Sequence, residues 1–262
     1  MSLAVLDKAK IRHSFAAAAD SYDSAAKLQR QVALALLQKF PLQSMPGWVL
    51  DMGCGTGFLT RHLSVESQDL SCLALDIALP MLQASRRNNR SLPVDYVCAD
   101  AEELPFVDRS FQQVYSNLAL QWCQNLPAVF ADVRRVLMPD GQLVFSIFGP
   151  ETLRELKAAW IGVDDFAHVN DFYSVGQIRD FLQMAGLGQV DVETVMYRLR
   201  YPSVLALMRE LKDLGAHNVS HARNRRLTTR SQLQQMLMQY ENSMLNGEIL
   251  ASYDIIFVRA RR

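Results

Sequence analysis

A short apolar run, Trp48-Val49-Leu50, leads into Asp51-Met52-Gly53-Cys54-Gly55-Thr56-Gly57, and no other segment constrains the fold as tightly. Trp48 to Gly53 reads as a buried strand and Gly57 to Ser64 as the helix that follows it. Three glycines at alternate positions permit positive φ and leave no Cβ in the way, so a ligand can lie against the backbone itself. In open α/β sheets ligands bind beyond the carboxyl ends of the strands, and this is the first strand-to-helix turn of the chain.

The alternation continues downstream. Ser71 to Asp76, Val94 to Cys98, Phe111 to Ser116 and Gln142 to Phe148 read as strands, with helices at Leu79 to Asn88 and Leu126 to Leu137 and a turn at Met138 to Gly141. Strands and helices at this spacing predict a parallel sheet covered on both faces. After Pro150 the rhythm changes. Helices are expected at Thr152 to Trp160, Val175 to Ala185, Val204 to Leu214 and Ser231 to Asn242, and strands at Val190 to Tyr201 and Ser252 to Arg259. The expected fold class is therefore α/β, a doubly wound, mostly parallel seven-stranded sheet with helical lid insertions. Its core spans about residues 48–148 and 175–201 plus 252–260, preceded by one helix over 16–40. Segments 150–174 and 202–250 are expected to form a substrate lid.

A chain of 262 residues, 50% hydrophobic, buries enough surface for one such domain over 1–262. Its 27 basic residues balance 27 acidic ones, so no global field draws it to nucleic acid or an anionic membrane. Cys54, Cys72, Cys98 and Cys123 show no CxxC pairing and are expected as core thiols of a reducing compartment. With no continuous apolar stretch near the N-terminus and none approaching ~18 residues elsewhere, the expectation is a cytoplasmic protein.

About twenty residues beyond the glycines, Asp76 ends the second strand, where a carboxylate can accept both hydroxyls of a ribose. Asp100 ends the third, within reach of an adenine amino group. A dinucleotide is disfavoured. Its GxGxxG fingerprint requires a small residue where this chain has Phe58, and Asp51 before the first glycine suits a cationic amino acid better than a phosphate. Together the three strand tips suit a nucleoside carrying a positively charged amino acid.

Over about residues 48 to 148 the chain resembles the class I methyltransferases, with Ser116 to Trp122 (SNLALQW) matching that family's segment after the fourth strand. The resemblance implies a Rossmann-like methyltransferase sheet and S-adenosyl-L-methionine as cofactor. It implies contacts from Asp51, Gly53, Gly55, Gly57, Asp76, Ile77, Met81, Asp100, Ala101, Asn117 and Leu118. Further segments are similar to the malonyl-acyl carrier protein O-methyltransferases that start biotin synthesis: Phe15 to Arg30, Ser116 to Cys123, Phe148 to Trp160, His168 to Phe172 and Tyr201 to Val219. One departure is the basic run His221 to Arg230.

Such an enzyme would methylate the free carboxylate of a malonyl thioester, on a carrier protein or coenzyme A. A carboxylate with a pKa of ~4 is already ionised, so no general base is needed. Arg209 is the first candidate to hold it, followed by His168, Tyr22 and Trp122; Arg209 could equally pair with Glu210 or Asp213 at the surface. Arg223, Arg225, Arg226 and Arg230 form a run without acidic residues, readable as a solvated loop or as a dock for an acidic acyl carrier protein bearing malonyl-phosphopantetheine. RNA binding would want interleaved aromatics, which the run lacks. His217 and His221 lie four apart, but no third metal ligand is evident, so no metal is expected. A methyltransferase of a small hydrophobic molecule, such as a quinone precursor, would share the whole cofactor half and is the alternative.

Overall fold

The computed structural model describes residues 6–66, 70–216, 228–242 and 249–262. Three helices open the chain: α1 (Lys8–Ala18), α2 (Tyr22–Ala25) and α3 (Lys27–Lys39). The single helix expected over 16–40 is thus broken twice, and helix begins earlier than expected, where the Asp7 side chain caps α1 by accepting from Lys10 N. The first break has a physical cause. The Ser21 hydroxyl donates to the carbonyls of Ala18 and Asp213, so a side chain takes one of the helix's own acceptors and ties the break to a distant segment.

Then follow β1 (Gly47–Met52), α4 (Phe58–Glu66), β2 (Leu70–Asp76), α5 (Leu79–Asn88), β3 (Val94–Cys98), β4 (Phe111–Asn117), α6 (Leu126–Val136) and β5 (Leu137–Phe148). The closing part comprises α7 (Arg154–Trp160), α8 (Val175–Met184), β6 (Gly188–Tyr201), α9 (Val204–Asp213), α10 (Arg230–Asn242) and β7 (Ile249–Arg261). Each expected strand is present. The turn expected at Met138 to Gly141 lies inside β5: Leu137 pairs with Phe111 and Gln142 with Gln113, and the residues between them, with Asp140 at φ 62°, are passed over as the register shifts.

Sheet order is β3-β2-β1-β4-β5-β7-β6, with β7 antiparallel to both neighbours and the remaining pairs parallel. Strand order reverses between β1 and β4, which opens a crevice at their carboxyl ends. Apolar residues fill both faces. Leu36, Leu63 and Tyr115 lie in one cluster, and Val129, Phe130, Val133 and Ile178 in the other, all fully buried.

The late helices cover one side of the crevice. Helix α10 packs on α7, and α9 on α2, with Leu156, Trp160, Leu207, Met236 and Tyr240 joining the first cluster. No helix among the described residues is long and apolar enough to cross a membrane.

Candidate functional site

At the end of β1 the backbone turns sharply, Gly53 N and Cys54 N both donating to Leu75 O at 2.8 and 2.9 Å. Gly53, Gly55 and Gly57 have φ of 78°, 53° and 87°, the left-handed region. Their tasks differ. A Cβ on Gly53 would lie 2.3 Å from Ala119 Cβ, and one on Gly57 would lie 2.2 Å from Ser85 Oγ. A Cβ on Gly55 would meet nothing closer than Tyr22 Cε1 at 3.9 Å, so its missing side chain leaves open space. Gly57 lines no cavity with the other two. Its bare Cα lets Ser85 and Asn89 of α5 approach the turn, Asn89 Nδ2 donating to Gly57 O at 3.0 Å, at a position where the sequence reading expects a ligand contact.

Nine of the expected contacts converge on one cavity of about 730 Å³: Gly53, Gly55, Asp76, Ile77, Met81, Asp100, Ala101, Asn117 and Leu118. Asp76 is set by the turn itself, Oδ2 accepting from Gly55 N (2.9 Å) and Oδ1 from Ala78 N (2.8 Å). Burial pushes its carboxyl above the ordinary range. Leu118 stands at φ 48°, a conformation costing a branched side chain about 1 kcal/mol, and is held there by its N–H on Ser146.

Asp51 lines an adjoining cavity of about 420 Å³ with Tyr22, Asp23, Gln29 and Arg30. It is wholly buried; Oδ2 accepts from Thr60 Oγ1 at 2.6 Å, while Oδ1 has no partner among the described residues. Desolvation, with Asp76 adding its charge, raises Asp51 to about 7. An orphaned carboxylate oxygen beside a bare glycine turn fits an ammonium group, so the two cavities together fit a nucleoside and its amino acid end.

Asp100 lines the nucleoside cavity, where the sequence reading expects it; its Oδ2 accepts from Lys8 Nζ (2.6 Å), which also reaches Glu102 (3.2 Å), and its Oδ1 accepts from Glu102 N (2.9 Å). Lys8, Ile11 and Phe15 on α1 form a wall of the nucleoside cavity that sequence reasoning misses. Tyr22, expected at the substrate, lines both this cavity and the one around Asp51. Among the cysteines, Cys54 and Cys72 are buried as expected, but Cys98 is exposed because β3 is the sheet's edge, and Cys123 lines the nucleoside cavity.

Next to these lies a larger, mainly apolar chamber of about 1090 Å³. Leu28, Phe148, Leu153, Leu156, Trp160, Phe172, Met208 and Leu211 wall it, with His168, Glu210 and Lys212 as charged or ionisable members. His168 stacks on Trp160 with ring centroids 3.4 Å apart and bonds Asp164 Oδ1 at 2.8 Å. Tyr201 OH donates to Glu210 Oε1 at 2.7 Å.

Trp122 lines both chamber and nucleoside cavity. Arg209 is exposed and outside the chamber. On α9 the buried Val204 and Leu207 mark the inner face, and Arg209 lies about 160° around the helix from Leu207, a signal present in the sequence. Arg230 is exposed at the start of α10. Arg223, Arg225, Arg226, His217 and His221 lie outside the described residues.

This strand order, with a glycine turn and acidic strand tips around a nucleoside-shaped crevice, defines a class I methyltransferase using S-adenosyl-L-methionine. The methyltransferase domain family matches residues 50–145. The chain is 37% identical over 98% of its length to the malonyl-acyl carrier protein O-methyltransferase of Gallionella capsiferriformans, covering 91% of that protein. It is 39% identical over 98% of its length to the enzyme of the same name from a Methylovorus species, covering 89%. The chain belongs to the malonyl-acyl carrier protein O-methyltransferase family. Its fold also matches the YcgJ protein of Bacillus subtilis, with a TM-score of 0.63 and 17% identity over 88% of this chain and 97% of that one.

Proposed function

We propose that the chain methylates the free carboxylate of a malonyl thioester delivered by an acyl carrier protein, giving the methyl ester that starts pimeloyl and biotin synthesis. The observation that carries this reading is the chamber: a mainly apolar space that meets the cofactor cavities at Trp122 and Gln29. S-adenosyl-L-methionine, when bound, supplies an electrophilic methyl group on a sulfonium. Asp76 would hold its ribose and Asp51 its ammonium. The protein's remaining task is to orient an already ionised nucleophile and exclude water, since an anion meeting a cation needs no proton removed.

The run of Arg223, Arg225, Arg226 and Arg230 without acidic residues is the proposed dock for an acidic carrier protein. The test is incubation with S-adenosyl-L-methionine and either malonyl or acetyl carrier protein. Methyl ester on the malonyl form alone is expected. Methylation of a small hydrophobic ring, with neither thioester used, would overturn the reading.

A further inference from the structure

Two side chains among the described residues line both the acyl chamber and a cofactor cavity: Trp122, shared with the nucleoside cavity, and Gln29, shared with the cavity around Asp51. The transferred group has to cross this seam. Gln29 lies on the first turns of α3, and its main chain is fixed: its carbonyl accepts from Asn117 Nδ2 (3.0 Å), and Asn117 Oδ1 accepts from Ser146 Oγ (2.8 Å). Its side chain is different. Oε1 is enclosed without a donor, and Nε2 makes no hydrogen bond among the described residues. Enclosed polar groups are nearly always paired, so an amide left open between two cavities is set for a partner that arrives with the ligands.

Resting on the function proposed above, we infer that the Gln29 carboxamide holds the substrate's carboxylate, donating from Nε2 to one oxygen and leaving the other free to be methylated. With neither amide atom tied to the protein, the group can turn its N–H bonds to the anion without breaking an existing contact. A neutral donor also suits the chemistry. Methylation converts the anion into a neutral ester, so any attraction to the anion weakens toward the transition state, and a guanidinium fork would forfeit most. That is a physical reason for Arg209 to point away from the chamber.

The test compares the full-length wild-type chain with Gln29→Ala and Gln29→Glu, using malonyl carrier protein as substrate and S-adenosylhomocysteine calorimetry as a control for folding and the cofactor cavity. Gln29→Ala is expected to raise KM for malonyl carrier protein about tenfold or more, the loss of one hydrogen bond to an anion, with homocysteine-nucleoside affinity changed less than about threefold. Gln29→Glu sets two carboxylates together. Its activity relative to wild type should be lowest near pH ~7.5 and recover toward pH ~5.5, where the added carboxyl takes up a proton and donates as the amide does. Asp23, Arg30 and Asp51 on the cofactor side and His168, Glu210 and Lys212 on the chamber side are common to both proteins, so the ratio at each pH cancels their titration.

An unchanged KM in Gln29→Ala, a nucleoside affinity falling as far as substrate affinity, or a Gln29→Glu ratio flat with pH would each overturn the assignment. A wild-type protein that methylates no malonyl thioester would overturn the functional reading itself, and this assignment with it. Wild-type activity with an indifferent Gln29→Ala removes only the latter.

Discussion

The cofactor half and the acyl half of this molecule are built on opposite plans. On the cofactor side, ligand groups stand at strand tips and are prearranged by backbone hydrogen bonds, as Asp76 is by Gly55 N and Ala78 N. On the acyl side, helices α3, α7 and α9 enclose space with mainly apolar walls and few fixed polar groups. The first plan gives a site that discriminates atom by atom. The second admits a long flexible chain and excludes water, leaving selectivity to the seam where the two halves meet.

This contrast is broken most directly at the turn. Gly53→Ala should destabilise the fold by about 2 kcal/mol or more and abolish nucleoside uptake, because the new Cβ collides with Ala119 at positive φ. Chemical denaturation and calorimetry would show it; intact binding would mean that the turn yields to the added methyl.

Asp76→Ala should weaken S-adenosylhomocysteine binding about a hundredfold, since ribose acceptors and the anchor of Gly55 are lost together. The acyl chamber should be indifferent to the same change.

Asp51 sharpens the comparison through pH. Its folded pKa of about 7 lies above the unfolded value near 3.8, so its protonated form is favoured in the free protein. Stability from this group is full below the unfolded value and declines as pH rises to about 7. Asp51→Asn should flatten the stability profile across that window. An ammonium ligand favours the ionised form, so ligand uptake just below pH 7 should release up to about one proton, seen by calorimetry in buffers of different ionisation enthalpy. No release, or the same release from Asp51→Asn, would remove the ammonium assignment.

Arg209→Ala marks the small end of the scale. Exposed on α9, it should change turnover by less than about twofold. A large loss of malonyl activity would show that the helix presents its other face to substrate.

The same contrast explains what the sequence makes legible. The strands, the turn and the acidic tips are local patterns, and nine of the eleven expected contacts share one cavity because adjacent parallel strands bring their ends together. The Lys8–Asp100 pair joins residues 92 positions apart and leaves no local trace. Gln29 is one amide in a polar stretch of helix, and only the meeting of two cavities singles it out. Arg209 is legible in another way: the helical phase set by the buried Val204 and Leu207 turns it away from the inner face of α9.

Helix α1 remains. It closes one side of the nucleoside cavity through Lys8, Ile11 and Phe15, with Phe15 set edge-to-face on Trp122 at 5.3 Å and Leu6 O accepting from Gln124 Nε2. Exchange of spent donor for fresh donor is therefore expected to depend on how firmly α1 is held. A bulky fusion placed directly ahead of α1 is expected to alter the off-rate of S-adenosylhomocysteine, whereas the same fusion after β7 leaves it unchanged.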